Sequence, residues 1–285
     1  MSEERKSMQT SDAVNRARDY YNSSDADNFY ARIWGGEDIH IGLYDSPDCP
    51  IGEAGVKTVE AMLALLPENP ERGGRLLDIG AGYGGSARRI VKTRAYDVTC
   101  LNLSEIQNER NRRRNQEEGL EDRIEVIDGD FENLPFEAGS FDAVWCQDSI
   151  LHSGNRRRVF EEVDRVLKPG GHFVFTDIMQ TPEVDAAALA DVYKRIHLDS
   201  LGSVEEYNRY AESLGWSVGG FADHSQQLTT HYQRVHDELA GKRSTLDGGI
   251  SDAYIDNMLQ GLQHWVGAGQ AGSLRWGILH YIKGE

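Results

Sequence analysis

Residues 76–91 read LLDIGAGYGGSARRIV and decide the fold of this chain. The apolar run Leu76 to Ile79 predicts a buried strand, and Ser86 to Val91 have the pattern of the first turns of a helix. Between them lie three glycines that let a ligand approach the backbone: Gly80, Gly82 and Gly84. Free N–H groups at a helix start favour an anionic group. The stretch therefore predicts a site for a nucleotide-bearing cofactor.

The spacing of the glycines indicates which class of cofactor the turn binds. A dinucleotide turn reads G-x-G-x-x-G, whereas this turn reads D-x-G-x-G-x-G, with Asp78 two residues before Gly80. Surface turns also use glycine, so an ordinary turn is the alternative interpretation. Residues further along the chain decide between the two.

Composition limits the classes of partner. The chain has 285 residues, with 47 acidic and 30 basic side chains, and a net charge of −17. This excess argues against nucleic acid and anionic membranes as partners. Cys49, Cys100 and Cys146 show no C-x-x-C spacing, so we expect reduced core thiols and no metal site. With no membrane-length apolar run and a polar N-terminus, we expect a soluble cytoplasmic protein.

Strand-like and helical segments alternate after residue 73. Apolar segments at 75–80, 96–104, 123–130, 141–149 and 172–180 are separated by helical stretches at 86–93, 105–118 and 156–167. Repeated β-α units predict an α/β fold with a doubly wound, mostly parallel sheet.

Two regions flank this pattern. Residues 1–72 are predicted to form an N-terminal helical lid, in which Tyr20, Tyr21, Tyr30 and Trp34 lie close in sequence. Residues 73–285 then form the main domain, with a helical cap inserted at about 181–270 and a late strand at 273–282.

Polar side chains follow three of the predicted strands. Asn102 follows the second strand with Gln107 one helical turn later, Asp130 follows the third, and Gln147 follows the fourth. Ligands in doubly wound sheets bind at the carboxyl ends of the strands, so these side chains are candidates for holding the cofactor. The alternatives are a helix cap by Asn102 or Ser104 and a plain turn role for Asp130.

Five segments together resemble the class I S-adenosylmethionine-dependent small-molecule methyltransferases: LDIGAGYGG, VTCLNLSEIQNERNR, GDFENLPF, FDAVWCQDSILH and LKPGG, all within residues 75–177. The resemblance implies a Rossmann-like fold and S-adenosyl-L-methionine as cofactor, with S-adenosyl-L-homocysteine as product. It implies that Asp130 of the GDF segment binds the adenine amino group and that the next residue, Phe131, packs on the base. The cofactor-binding residues expected are Tyr30, Trp34, Asp78, Gly80, Ala81, Gly82, Asn102, Leu103, Gln107, Asp130, Phe131 and Gln147.

The flanks resemble a narrower family. Residues 29–44, FYARIWGGEDIHIGLY, are similar to the N-terminal lid of sarcosine/dimethylglycine N-methyltransferases, and Arg275-Trp276-Gly277 also fits that family. The resemblance implies methylation of a small amino acid, sarcosine or dimethylglycine, to give the osmolyte glycine betaine. A homodimer is a possible assembly.

Resemblance to phosphoethanolamine methyltransferases places His152 at a catalytic position, with Tyr20 or Tyr21 as its partner and Tyr21 preferred. His152 and four other residues are also expected to contact the substrate: Tyr21, Trp34, Arg275 and Trp276. Cation–π contacts from the aromatic residues would suit a methylated amine. Further candidates for the substrate carboxylate are Arg32, His197, His224 and His236. A structural histidine and ordinary aromatic core packing are the alternatives.

Two other functions stay open at this point. One is methylation of another small acceptor, such as phosphoethanolamine or a quinol or tocopherol-type ring. The acidic chain offers little sign of the basic cluster that a phosphate dianion requires. The other is a non-catalytic cofactor-binding module, against which the intact glycine turn and the polar QDSILHS segment both argue.

Overall fold

The computed structural model describes residues 18–68, 73–196, 200–246 and 248–285. Within these ranges, seven strands form one sheet: β1 (Gly74–Ile79), β2 (Tyr96–Asn102), β3 (Ile124–Asp128), β4 (Phe141–Gln147), β5 (Leu167–Gln180), β6 (Ser217–Asp223) and β7 (Leu274–Ile282). Their order across the sheet is β3-β2-β1-β4-β5-β7-β6. The first five strands are parallel, and β7 runs antiparallel between β5 and β6. The predicted mostly parallel sheet is confirmed.

Strand β6 lies inside the stretch expected to be a helical cap, and the sequence pattern did not predict it. Its sequence, SVGGFAD, carries two adjacent glycines, and most of its residues are exposed. It has no alternation of apolar and polar residues that would indicate a strand. Pairing with the buried strand β7 provides its hydrogen bonds instead.

The described helices are α1 (Ser24–Phe29), α2 (Ile51–Leu63), α3 (Gly85–Thr93), α4 (Glu105–Glu117), α5 (Arg156–Val166), α6 (Ala190–Ile196), α7 (Val204–Ser213), α8 (Ser225–Lys242) and α9 (Asp252–Gln270). A π-helical turn spans Tyr30–Trp34, and 3₁₀ turns span Ile150–His152, Ala186–Leu189 and Arg243–Thr245. None of these helices is long and apolar enough to cross a membrane.

Both faces of the sheet are covered by helices. On one face, Met62 of α2 and Ile90 of α3 pack in a cluster with Trp145 of β4. On the other face, Phe160 of α5 and Tyr207 of α7 stack with ring centroids 5.5 Å apart, within the cluster that buries β4 and β5. The three cysteines are free and buried. Helix α2 packs on the sheet, so residues 51–63 contribute to the core of the main domain. The predicted division of the chain at residue 72 stays a prediction.

A third cluster lies over the carboxyl ends of the strands. It joins the lid segment, defined here as residues 18–44, to the cap helices α8 and α9. Phe29 and Trp34 of the lid pack edge to face, and Tyr232 of α8 stacks on Trp265 of α9 with centroids 5.3 Å apart. Such aromatic pairs contribute about 0.5–1.5 kcal/mol each beyond the area they bury. The lid segment is therefore held by the C-terminal half of the chain.

Candidate active site

The glycine turn after β1 has the conformation that its sequence requires. Gly80, Gly82 and Gly84 have φ values of 79°, 53° and 75°, in the left-handed region that favours glycine. A Cβ atom on Gly80 would overlap the side chain of Ser149, and one on Gly85 would overlap the carboxylate of Asp38. The turn therefore lies tightly between the end of β4 and the lid segment.

A cavity opens above this turn. The glycine turn, the ends of β2 and β4 and the lid segment form its walls. It brings together many of the residues expected from the sequence: Tyr21, Asp78, Gly80, Ala81, Gly82, Asn102, Leu103, Gln107, Phe131, Gln147 and His152. Ligands bind at this edge of doubly wound sheets, so we treat the cavity as the candidate active site.

Two amides at one end of the cavity present complementary groups. The Asn102 Nδ2 donates to Gln107 Oε1 at 3.0 Å, which leaves the Asn102 Oδ1 as an acceptor. Gln107 Nε2 is buried and has no partner among the described residues. One acceptor beside one donor fits the two hydroxyls of a ribose. Ser104, rather than Asn102, caps α4 by accepting from the Gln107 N–H.

The neighbouring strand end, after β3, is expected to hold the adenine base. Phe131 lines the cavity and is nearly buried. Asp130 does not line the cavity; its carboxylate accepts from the Glu132 N–H at 2.8 Å in a turn. Burial and the nearby Glu132 raise the pKa of Asp130. Its adenine-binding role stays a prediction, and the turn role occurs in the structure.

At the opposite end, Gln147 has a fixed orientation. Its Oε1 accepts from Trp145 Nε1 at 2.9 Å and from Ser86 Oγ at 2.5 Å. Indole nitrogen can only donate, so the atom that it meets must be the amide oxygen. The Nε2 group therefore faces the cavity, buried and without a partner among the described residues. Unpaired buried donors at both ends of the cavity fit a polar cofactor.

The predicted pair of His152 and Tyr21 is in contact. Tyr21 Oη lies 3.0 Å from His152 Nε2, with the rings edge to face. Burial lowers the pKa of His152 to about 4, so the imidazole is neutral near pH 7. Tyr20 bonds to Tyr254 at 3.0 Å and to Tyr30 at 3.4 Å instead. Of the two candidate tyrosines, the structure places Tyr21 at His152.

Three buried carboxyl groups surround the site. Burial raises the pKa of Asp78 to about 7, and burial also raises the pKa of Asp148. Asp148 has a φ of 48°, the only non-glycine residue in the described ranges with a positive φ. Asp177 lies beneath the turn that carries His152 and accepts from the Leu151 N–H at 3.0 Å. Burial raises the pKa of Asp177 to about 7.

Ion pairs fix the lid segment to the helices beside the glycine turn. Glu37 pairs with the buried Arg88 of α3 at 2.9 Å and also with Arg114 of α4. Asp27 pairs with Arg110 and accepts from the Tyr83 hydroxyl at 2.8 Å. These contacts position the lid over the cavity.

Other expected site residues lie away from the cavity wall. Tyr30 and Trp34 are buried in the aromatic cluster of the lid and cap, and Trp276 is fully buried, with its Nε1 donating to Asp148 at 2.7 Å. Arg275 is half-exposed and lies 3.8 Å from Glu205. Their contact with ligands stays a prediction.

The further carboxylate candidates are also remote. Arg32 lines a separate surface hollow behind the lid with Asp237 and Glu238. His224 packs near Trp276, and His236 lies 3.0 Å from Asp237. His197 lies outside the described residues.

Sequence reasoning did not single out several polar residues of the cavity wall, among them Glu37, Asp38, His40 and Ser86. Glu37, Asp38 and His40 stand in the lid stretch GGEDIHIG. Charged residues beside a glycine pair in a lid are the signal that would have found these three.

A family model described as a methyltransferase domain matches residues 77–175. The sarcosine/dimethylglycine N-methyltransferase of Aphanothece halophytica is 54% identical over 277 residues, which cover 97% of this chain and 100% of that protein. The enzyme of the same name from Halorhodospira halochloris is 48% identical over 273 residues, 95% of this chain and 97% of its own.

A solved structure gives the same result. A protein of Galdieria sulphuraria, provisionally named sarcosine dimethylglycine methyltransferase, superposes with a TM-score of 0.87 at 37% identity and covers 93% of this chain and 99% of its own. The predicted Rossmann-like methyltransferase fold is confirmed, and the chain is an enzyme rather than a non-catalytic module. With identity this high over nearly the full length of its relatives, the chain belongs to the sarcosine/dimethylglycine N-methyltransferases, which use S-adenosylmethionine.

Proposed function

We propose that the enzyme methylates sarcosine and dimethylglycine and thereby forms glycine betaine. Full-length similarity to enzymes with these named substrates carries the proposal. The cavity supports it, because lid residues 37–40, the Tyr21–His152 pair and the carboxyl ends of β1, β2 and β4 meet in one place.

The charge of the cavity favours a zwitterionic acceptor over a phosphate ester. Glu37, Asp38, Asp78 and Asp148 line it, and no lysine or arginine among the described residues does so. A phosphate dianion would need basic side chains or several backbone N–H groups. In contrast, nearby carboxylates stabilise a positively charged ammonium or sulfonium group.

We infer that Asn102 and Gln107 hold the ribose and that Phe131 packs on the base. The glycine turn and Gln147 would then hold the methionine arm. The unpartnered Nε2 atoms of Gln107 and Gln147 support this placement, since buried donors normally find an acceptor. When bound, S-adenosylmethionine supplies an activated methyl group. The protein contributes alignment and the exclusion of water.

The Tyr21–His152 pair has the properties of a proton relay. The amine of the acceptor is protonated at neutral pH, with a pKa near that of lysine, about 10. It must lose that proton to present its lone pair. His152 is neutral and its Nε2 lies 3.0 Å from the Tyr21 hydroxyl, so the pair can take the amine proton onto the imidazole, which then releases it to bulk water. A pKa of about 4 means that His152 does not retain the proton.

We also propose a cytoplasmic location and a role in osmoprotection. Glycine betaine is the product expected from the acceptors, and the chain carries a net charge of −17, which suits a protein that must stay hydrated at high salt. The predicted lid function of residues 1–72 is part of the proposal: its described contacts, Glu37–Arg88 and Asp27–Arg110, hold it across the cavity.

An acceptor panel tests the function. Purified protein is incubated with methyl-labelled S-adenosylmethionine and, separately, with glycine, sarcosine, dimethylglycine, phosphoethanolamine and a quinol. Label in dimethylglycine and betaine, formed from the two methylated glycines, is the expected result. Label in a phosphobase or quinol product, with none in the methylated glycines, would contradict the proposal.

A further inference from the structure

The turn that carries His152 has a backbone donor without an acceptor inside the turn. Residues 150–152 form a 3₁₀ turn, in which the His152 N–H donates to the Ser149 carbonyl at 3.0 Å. The Leu151 N–H lies at the start of the turn, where backbone donors have no internal acceptor. Leu151 is buried, so little water reaches it. This donor therefore needs a partner from another part of the fold.

Asp177 of β5 supplies that partner. Its Oδ1 accepts from the Leu151 N–H at 3.0 Å, and its Oδ2 accepts from the Tyr207 hydroxyl of α7. The side chain of Asp177 is fully buried. The charge of Arg156 acts on this carboxyl group, although Arg156 itself donates to Ser200 at 2.8 Å. Two neutral donors therefore use the two oxygens, and one of them belongs to the turn.

The bond from Asp177 holds the middle of the turn. Ser149 and Ser153 anchor the two ends through their hydroxyl groups, at 3.3 and 2.7 Å from their acceptors. Asp177 acts one residue before His152, whose Nε2 lies 3.0 Å from the Tyr21 hydroxyl. A displacement of about 1 Å at a reacting group can lower turnover by about 100-fold. The middle anchor is therefore placed where it controls the geometry of the relay.

We propose that Asp177 is a positioning residue, which holds the turn through the Leu151 N–H so that the imidazole of His152 meets Tyr21. The assignment rests on the proposed function, in which that pair relays the proton of the acceptor amine. Asp177 does not line the cavity. It therefore acts on the reaction through the turn and not by contact with a ligand.

This role requires an acceptor but not a charge. Burial raises the pKa of Asp177 to about 7, so both of its forms occur near neutral pH. In either form Oδ1 accepts from the Leu151 N–H, because the Tyr207 hydroxyl can donate to Oδ2 or accept from it. The amide of Asp177→Asn offers the same acceptor to Leu151 and a donor to Tyr207. Asp177→Leu, of similar size, offers neither.

The two substitutions at Asp177 should differ in turnover. We expect Asp177→Leu to lower kcat for dimethylglycine by about 10- to 100-fold, because the imidazole loses its alignment. Binding of S-adenosylhomocysteine, measured by calorimetry, should be unchanged. Asp177→Asn should keep the wild-type kcat. Tyr207→Phe is the matched control, since it removes the other donor to the carboxyl group and leaves the Leu151 bond in place; it should lose stability and keep kcat.

A double-mutant cycle separates positioning from a general loss of stability. If Asp177 acts through His152, its substitution should have no further effect on kcat once His152 is alanine. We therefore expect the double variant H152A/D177L to be as fast as His152→Ala alone. Equal fold losses from Asp177→Leu in both backgrounds would overturn the proposal. An Asn variant as slow as the Leu variant would also overturn it.

Hydrogen exchange of the backbone amides gives a readout that needs no methyl transfer. Exchange at Leu151 should be faster in Asp177→Leu and unchanged in Asp177→Asn, because only the first loses the acceptor; equal exchange in the two variants would contradict the proposal. If Asp177→Leu does not fold, as judged by circular dichroism, Asp177→Ala must give the same results. Full activity of His152→Ala would defeat the proposed relay, whereas the exchange comparison would still decide whether Asp177 holds the turn.

Discussion

At the scale of single residues, the contact between Tyr21 and His152 carries the chemistry proposed here. Tyr21→Phe removes the hydroxyl that lies 3.0 Å from His152 Nε2 and little else. We expect kcat for dimethylglycine to fall by about 100-fold or more, because general acid–base catalysis contributes at least that much. Binding of S-adenosylhomocysteine should persist, and steady-state kinetics with calorimetry checks both.

Tyr20→Phe is the matched control. The Tyr20 hydroxyl bonds to Tyr254 and Tyr30, and it does not meet His152. A loss of kcat in Tyr20→Phe as large as in Tyr21→Phe would show that the lid needs its tyrosines for packing and would remove the relay.

Asp148 gives a second prediction, on stability. Its two oxygens accept from the Ile41 N–H and from Trp276 Nε1, both at 2.7 Å. Asn tolerates a positive φ as Asp does, but it has only one acceptor oxygen. We expect Asp148→Asn to lower the free energy of unfolding by about 1–3 kcal/mol, the cost of a buried unpaired donor. Urea denaturation measures it, with the exposed Asp237→Asn as control; equal stability of the two variants would contradict the prediction.

Sequence patterns located some of these residues and not others, for a physical reason. Asn102 and Gln147 are the last residues of their strands, and the strand direction alone places them at the same edge of the sheet. Asp38 and His40 reach that edge only because the lid folds back over it. The Ile41 to Asp148 bond joins residues 107 positions apart, and no local pattern encodes such a contact.

At the scale of elements, the lid segment is attached by charges rather than by apolar contacts alone. Glu37 is half-exposed, whereas its partner Arg88 is almost fully buried and also donates to the Tyr83 carbonyl of the glycine turn. Glu37→Gln should weaken binding of S-adenosylhomocysteine by about tenfold. A hydrogen bond between charged groups, such as that between Glu37 and Arg88, contributes about 1.5 kcal/mol. Calorimetry checks this, and Glu121→Gln on the surface should bind normally. Unchanged affinity in Glu37→Gln would show that the lid does not support the cofactor site.

Elements with clear periodicity were predictable, and those held by their neighbours were not. Strand β1 and helix α3 follow from the sequence of residues 76–91 alone. Strand β6 exists because β7 pairs with it, and helix α4 buries amides rather than apolar side chains: Gln107, Asn108, Asn111 and Asn115. Its one isoleucine, Ile106, is exposed. The amide face packs against the glycine turn, and only the tertiary structure shows that.

At the scale of the whole molecule, buried histidines make stability depend on pH. Burial lowers the pKa of His231 to about 3, from an ordinary value near 6.5. Between these values the unfolded chain binds a proton that the native protein does not, so stability falls as the pH falls below 6.5. Between pH 7.5 and pH 5, protonation of this residue in the unfolded chain alone should lower the free energy of unfolding by about 2 kcal/mol.

The variant His231→Gln isolates this effect from other titrating groups. Asp78 and Asp177 act in the opposite direction, because burial raises the pKa of each to about 7 and the native state then holds the extra proton. Their contribution is common to both proteins. Urea denaturation at pH 7.5 and pH 5 measures the fall in the free energy of unfolding. We expect that fall to be about 2 kcal/mol smaller in His231→Gln than in the wild type. Parallel losses in the two proteins would show that His231 is protonated in the native state.

The overall architecture followed from a local motif, whereas the enclosure of the site did not. A strand, a glycine turn and a helix imply a doubly wound sheet with its site at the carboxyl edge. The lid packs on α8 and α9 through aromatic contacts between distant parts of the chain, such as that of Trp34 with Tyr232. These same contacts bury Trp34, which the sequence suggested as a ligand contact.

Product identification by mass spectrometry tests the central claim most directly. Wild-type enzyme is incubated with S-adenosylmethionine and dimethylglycine as the sole acceptor, and both products are quantified over time. The structure and its relatives predict glycine betaine and S-adenosylhomocysteine in equal amounts, with His152→Ala slow in forming both. Formation of no betaine, by an enzyme that still binds S-adenosylhomocysteine, would contradict the account.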